Sequence, residues 1–200
     1  MTSSRLSLLK QAASNANNRN KRPNSSELVE ALLDAEKSAK KAKNSYSLAD
    51  LVGCWNLRFI TGTKRSRQKA GIVLGAGRYI PQFVKIQIRY ELDPNVPNIG
   101  RVTNSVRIAV LDLSLSGPIE FISPKNILAF DFTSLKLEVF GWKIYDNYLG
   151  NGAVRDKEFY DTKLTDRAFF SYFMIQDNAI AARGKGGGLA LWGRNVRDEE

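Results

Sequence analysis

The sequence predicts a mainly β protein, an antiparallel barrel or sandwich, entered through an N-terminal helical segment. Three observations carry that expectation. Near residue 46 the apolar spacing changes from a helical period to a period of two. In Val84–Leu92 every even position is apolar and, up to Glu91, every odd position is polar, as in a strand with one face on a core and one in water. Beyond Trp55, short apolar runs are separated by Gly, Pro, Asn and Asp turns with few helical stretches between them.

Each element follows in order. Leu6, Leu9, Ala13 and Ala16 fall on one helical face and predict a first helix. After the polar residues 15–24, Leu28, Leu32, Ala35, Ala39 and Ala42 predict a second, with Asn24 or Ser26 as its N-cap. Glu27 and Glu30 in its first turn and Lys37, Lys40, Lys41 and Lys43 toward its end suit the helix dipole. A short third helix is expected from Ser47, with Asp50 three residues on, to Gly53. The alternating strand 84–92 ends in the turn Asp93-Pro94-Asn95. Across residues 102–115 the apolar phase moves from Val106, Ile108 and Val110 to Leu111, Leu113 and Leu115. This suggests a bulge in a bent strand or strand pair. Further strands are expected at 127–132, 135–140, 168–176, 179–183 and 189–192, and residues 141–167 read as a long ordered loop with one helical turn.

The 200 residues carry 30 Lys plus Arg against 20 Asp plus Glu, a net charge of +10, with no His and one Cys. Without His there is no Ser-His-Asp triad, no Cys-His pair and no imidazole metal ligand. One Cys makes neither an internal disulfide nor a Cys-rich zinc site, and Cys54 has no imidazole to activate it. Asp156, Glu158, Asp161 and Asp166 alternate with Arg155, Lys157, Lys163 and Arg167, as on a solvated, salt-bridged surface. No catalytic group, metal site or cofactor is predicted. No apolar run approaches the ~20 residues that cross a bilayer as a helix. No secretory signal is legible. Residues 1–26 hold Ser, Asn and Arg but no acid, a composition that a transit peptide shares with a helix and polar linker.

Three stretches together resemble the plastid lipid-associated protein family, the fibrillins or plastoglobulins, including its cyanobacterial members. They are the helical segment running into Gly53-Cys54-Trp55-Asn56-Leu57, the mid-chain Gly100-Arg101-Val102-Thr103-Asn104-Ser105-Val106, and Ile180-Ala181-Ala182-Arg183-Gly184 with the Gly-rich turn before Leu189. Where the family carries an acidic run before its Arg-Gly, this chain has Gln176-Asp177-Asn178. The resemblance implies a lipocalin-like antiparallel β-barrel over residues 47–197, behind a helical segment over 1–46. It also implies peripheral attachment to thylakoids or lipid globules and binding of an apolar lipid, carotenoid or quinone.

In such a barrel Trp55 would stack at the closed end, as packing or as the floor of a ligand cavity, with Arg183 as its cationic partner. Leu57, Phe59, Ile86, Ile88, Tyr90, Val106, Ile108, Phe130 and Phe132 would line the interior, which is hollow or filled by its own side chains. Asn104 shares their phase and would need a polar partner, from the backbone or from a ligand's head. Lys64, Arg65, Arg67 and Lys69 lie in a loop near the open mouth, where anionic lipid would attract them. Gly184-Lys185-Gly186-Gly187-Gly188 lacks the Gly-Lys-Ser/Thr ending of a phosphate loop and reads as a hairpin turn.

The expected function is therefore a non-enzymatic, membrane-peripheral binder of a lipophilic molecule, photoprotective or structural in role. Docking as a scaffold on a photosynthetic complex is hard to separate from it. A lipocalin-fold enzyme handling a chromophore, as bilin lyases do, is the first rival; it requires inward polar residues around Asn104, Asp112 or Asp131 in a roomy pocket. Nucleic-acid binding ranks last, because only the charge suggests it and no DNA- or RNA-reading motif is present.

Overall fold

The computed structural model describes residues 3–14, 22–62 and 77–195. Helices α1 (Ser3–Ser14) and α2 (Ser25–Ala42) form where the helical period stands. Asn24 caps α2, its Oδ1 accepting the Ser26 amide at 2.9 Å, and Lys43, left-handed at φ +52°, ends it by donating to the Ala39 carbonyl. In the following 3-10 turn, Ala49–Leu51, Asp50 accepts both the amide and the hydroxyl of Ser47.

Eleven strands follow among the described residues, all antiparallel where they pair: β1 (Gly53–Thr61), β2 (Gly77–Tyr79), β3 (Val84–Leu92), β4 (Ile99–Ile108), β5 (Leu111–Ile122), β6 (Ile127–Phe130), β7 (Ser134–Val139), β8 (Trp142–Tyr148), β9 (Ala168–Gln176), β10 (Ala179–Gly184) and β11 (Leu189–Arg194). A short helix α3 (Gly152–Glu158) lies between β8 and β9. The ladder runs β4-β3-β1-β11-β10-β9-β6-β5, and β5 pairs again with β4. That last pairing closes eight strands into an antiparallel barrel. The fold is thus mainly β with an N-terminal helical layer, as the periodicity predicts.

Two apolar layers lie on either side of the barrel wall. Inside are Trp55, Ile88, Tyr90, Val102, Ile119, Phe121, Leu128, Tyr172, Ile180 and Trp192, with Leu48 and Leu51 of the 3-10 segment packed into the same cluster. Outside, Leu9, Leu28, Leu32 and Ala35 of the helices cover Phe59, Phe173, Ala179, Ala181, Leu189 and Leu191. Residues 179–182 are therefore buried on both faces, which is why Ala-Ile-Ala-Ala shows no apolar-polar alternation.

Two differences from the expected elements have clear causes. The phase change across 102–115 is a hairpin turn at Ala109-Val110 between β4 and β5, because a two-residue turn reverses the chain and restarts the alternation. The stretch expected as a loop with one helical turn holds that turn as α3, and it also contains the unexpected strand β8. A bulge in β8 opposite Leu137 and Glu138 breaks its alternation, and as an edge strand β8 is exposed at all seven residues.

β5 is longer than the barrel requires. Residues 119–122 pair with β6 inside the ring, while 111–116 pair with β7, which pairs in turn with β8. The outer halves of β4 and β5, with β7 and β8, form an arm that leaves the barrel.

The Tyr90 and Tyr172 hydroxyls meet at 2.7 Å in the barrel interior, and burial pushes both phenols above their ordinary range. Neither oxygen reaches water, so each depends on the other. Tyr90→Phe or Tyr172→Phe alone is expected to cost about 1–3 kcal/mol in urea unfolding. The double variant should cost less than the sum of the two, and strict additivity would contradict the coupling.

Candidate ligand-binding site

One end of the barrel is built around Trp55. Its indole Nε1–H donates to the Leu51 carbonyl at 2.7 Å, and the guanidinium of Arg194 lies over its ring at 4.4 Å. Gly53 makes room for this. It sits at φ +117°, where L side chains are strained, and a Cβ there would come within 2.9 Å of Arg194 Nη1.

Arg194, not Arg183, is thus the cation over Trp55. Arg183 lies at the opposite end of β10–β11, where it clamps Glu36 of α2 through both carboxylate oxygens, at 2.8 and 2.5 Å, and donates to the Gly187 carbonyl. The Gly184–Gly188 stretch is the β10–β11 turn, with the Gly184 amide donating to the Gly188 carbonyl.

Of the residues expected to line the barrel, Trp55, Ile88, Tyr90 and Phe130 are buried in its inner cluster, and Leu57 and Phe132 pack against it. Phe170 stacks on Phe130 at 4.9 Å and meets Trp192 edge-on at 5.5 Å. The interior is filled by its own side chains. Phe59 is corrected: it points outward beneath the helices, because the β1–β11 register shifts between Leu57 and Phe59 and reverses the phase. Ile108 is corrected too, being exposed at the far end of the arm. Ile86, Val106 and Asn104 are half-buried on the same sheet face, Asn104 standing between Ile88 and Leu115. Lys64, Arg65, Arg67 and Lys69 lie outside the described residues.

The accessible site lies at a break in the wall. β1 pairs with β3 only over 53–56 and with β2 over 59–61, so the first residues of β3 part from β1. A pocket of about 620 Å³ occupies this gap. Its lining combines Leu57, Ile80, Pro81, Val84 and Ile86 with Arg58, Lys85 and Arg194 and with Asn56, Asn178 and Asn195. Among the described residues no carboxylate lines it. Arg58 is the notable member. Burial lowers its pKa, and its Nε is buried with no hydrogen-bond partner. A buried donor of this kind is costly unless something accepts from it.

Sequence reading missed Arg58, Lys85 and Arg194. The alternation Trp55-Asn56-Leu57-Arg58-Phe59 runs unbroken through the bulge, so the sequence carries no sign that Arg58 is turned aside. The groups required for chromophore chemistry are not gathered: Asp112 pairs with Arg107 on the polar face of the arm, and Asp131 pairs with Arg155. Cys54 is buried. Among the described residues no cluster of three or more Cys, Asp or Glu is placed to hold a metal. No helix there is long and apolar enough to cross a membrane.

No family model matches the chain, and no curated protein matches it. Among solved structures the chain is similar to a redesigned beta barrel at 10% identity, covering 74% of this chain and 95% of that one, with a TM-score of 0.35.

The Arg183–Glu36 clamp has a pH signature. Hydrogen bonding from Arg183, opposed by burial, holds the Glu36 carboxyl below its ordinary 4.5. A carboxyl lowered by folding stabilises above its unfolded pKa, and that stability is lost as pH falls through the folded value. Glu36→Gln should therefore cost roughly 1–3 kcal/mol at neutral pH. The gap from wild type should narrow as pH drops below 4.5 in denaturant titrations; a gap independent of pH would contradict the assignment.

Proposed function

We propose that the protein is a non-enzymatic, membrane-peripheral binder of a lipophilic molecule. The molecule is an anionic amphiphile, held in the gap between β1 and β3 rather than inside the barrel. The observation that carries this is the pocket's composition: three cations and, among the described residues, no carboxylate, together with five apolar side chains. The head would meet the Arg58, Lys85 and Arg194 side chains, while the chain lies along Leu57, Val84 and Ile86. A filled barrel supports the displacement of the ligand to the wall, since opening the Tyr90–Tyr172 centre would break a buried hydrogen bond.

The apolar wall does not end at the pocket. Val84 and Ile86 pair with Ile108 and Val106, these with Leu111 and Leu113, and these with Val139 and Leu137 of β7. Residues directly opposite in a ladder share a face, so the face continues along the arm with room for a long chain. The resemblance to plastid lipid-associated proteins supports the same reading, with thylakoids or lipid globules as the membrane proposed.

Native mass spectrometry of the purified protein with a fatty acid or phosphatidylglycerol tests this. Binding is expected, and Arg58→Gln should weaken it about tenfold, the effect of losing a charged hydrogen bond. Equal binding by wild type and variant, or binding restricted to uncharged carotenoids and quinones, would overturn the anionic-head assignment.

A further inference from the structure

Three turns stand side by side at the end of the arm: residues 81–83 before β3, Ala109-Val110 between β4 and β5, and Phe140-Gly141 between β7 and β8. The register sets them level, because Val84 pairs with Ile108, Ile108 with Leu111, Leu111 with Val139 and Val139 with Trp142. Two of the turns are directly bonded, the Phe140 amide donating to the Val110 carbonyl at 2.9 Å. Each presents large apolar side chains to solvent. Phe83 is 75% exposed, Phe140 74% and Trp142 77%, with Val110 exposed between them. Single exposed apolar residues are ordinary, but contiguous patches mark interaction surfaces.

Phe140 is also an unfavourable choice for the fold. Phe140 and Gly141 both have positive φ, at +52° and +78°, the two-residue hairpin turn in which Asn-Gly is strongly preferred. A bulky aromatic in the left-handed region is a rare outlier. Here it gains no burial in return.

We propose that these three turns enter an anionic lipid bilayer, Phe83, Phe140 and Trp142 reaching the boundary between headgroups and acyl chains. One register row behind them, at headgroup depth on the opposite sheet face, stand Lys85, Arg107 and Lys143 with Asp112 and Glu138, three cations to two carboxylates, and the whole chain is +10. Trp is a residue type that settles at this interface. A second copy pairing along β8 is the less favoured occupant, since that edge carries a bulge and the charged pair Lys143–Asp146, both devices that resist strand addition. The geometry also connects the two surfaces. Pro81, Gln82 and Val84, which flank Phe83, line the pocket, so insertion brings the pocket mouth to the headgroups. In that respect the inference rests on the amphiphile reading and supplies its route of loading.

The test is co-sedimentation with vesicles of equal parts phosphatidylcholine and phosphatidylglycerol, with tryptophan emission recorded in parallel. Of the three Trp, Trp55 and Trp192 are buried, so Trp142 is the reporter. Wild type should sediment with the vesicles, less at high salt, and its emission should shift to the blue. Phe83→Ser with Phe140→Asn keeps Trp142 and places a favoured residue in the turn; it should stay folded by circular dichroism yet sediment about tenfold less or worse. The double variant should still take up free fatty acid in native mass spectrometry without vesicles, because neither Phe83 nor Phe140 lines the pocket, so that a failure of the pocket and a failure of the tip are told apart. Equal sedimentation of the folded double variant and wild type would overturn the proposal. So would a wild type that ignores vesicles but forms a dimer abolished by the double variant, which would assign the tip to a second copy.

Discussion

One irregularity in β1 decides how the rest of the molecule is arranged. Between Leu57 and Phe59 the strand slips against β11, and the slip turns Arg58 out of the alternation. Leu57 stays with the inner face while Phe59 crosses to the outer one, where α1 and α2 cover it. The same position marks the handover from β3 to β2 as pairing partner. A bulge sharpens local twist and bends the strand. In this barrel that bend opens the wall, seats a cation in the opening and builds the platform for the helices.

The helical layer and the interior then constrain each other. α1 approaches so closely at Gly193 that a Cβ there would stand 2.5 Å from the Ala13 carbonyl. Strands covered on both faces cannot shift without disturbing two apolar layers. The inner layer is further held by the Tyr90–Tyr172 hydrogen bond and by the contacts of Trp192 with Phe170 and Tyr172. A barrel so filled is a rigid support, and the surfaces left for binding lie where its wall opens and where the sheet runs on beyond it.

The arm has two unlike faces. On one, Lys85, Arg107, Asp112, Glu138 and Lys143 form a cross-strand row in which Arg107 bonds Asp112, while Lys136 bridges Glu138 at 2.9 Å. Exposed pairs of this kind add little stability, but they keep the face wet. The other face is apolar and lacks a covering layer among the described residues. Asp156 steadies the root of the arm. It takes two bonds from Arg101 and one from the Thr133 hydroxyl, and Arg101 holds its carboxyl below the ordinary range. Recognition surfaces carried on a pre-ordered support lose less entropy on binding.

Local periodicity determined the helices, the alternating strand Val84–Leu92 and the antiparallel β character, because those follow from which neighbours share a face, while residue chemistry narrowed the α2 cap to Asn24 or Ser26 and the structure chose Asn24. Gly53 and Trp55 stood out only through the resemblance to a family's Gly-x-Trp opening. What periodicity could not reach were positions where one residue is inserted. Leu57 and Phe59 read as one lining and lie on opposite sides of the wall, and β8 read as loop because of its bulge. Long-range partners were equally out of reach. Arg183 and Arg194 are both Arg on the last two strands, and only the packing of α2 against β10 and of β11 against β1 gives one to Glu36 and the other to Trp55. Tertiary structure alone decided that the barrel is filled and that the cationic pocket sits in its wall, since both depend on residues brought together from distant parts of the chain.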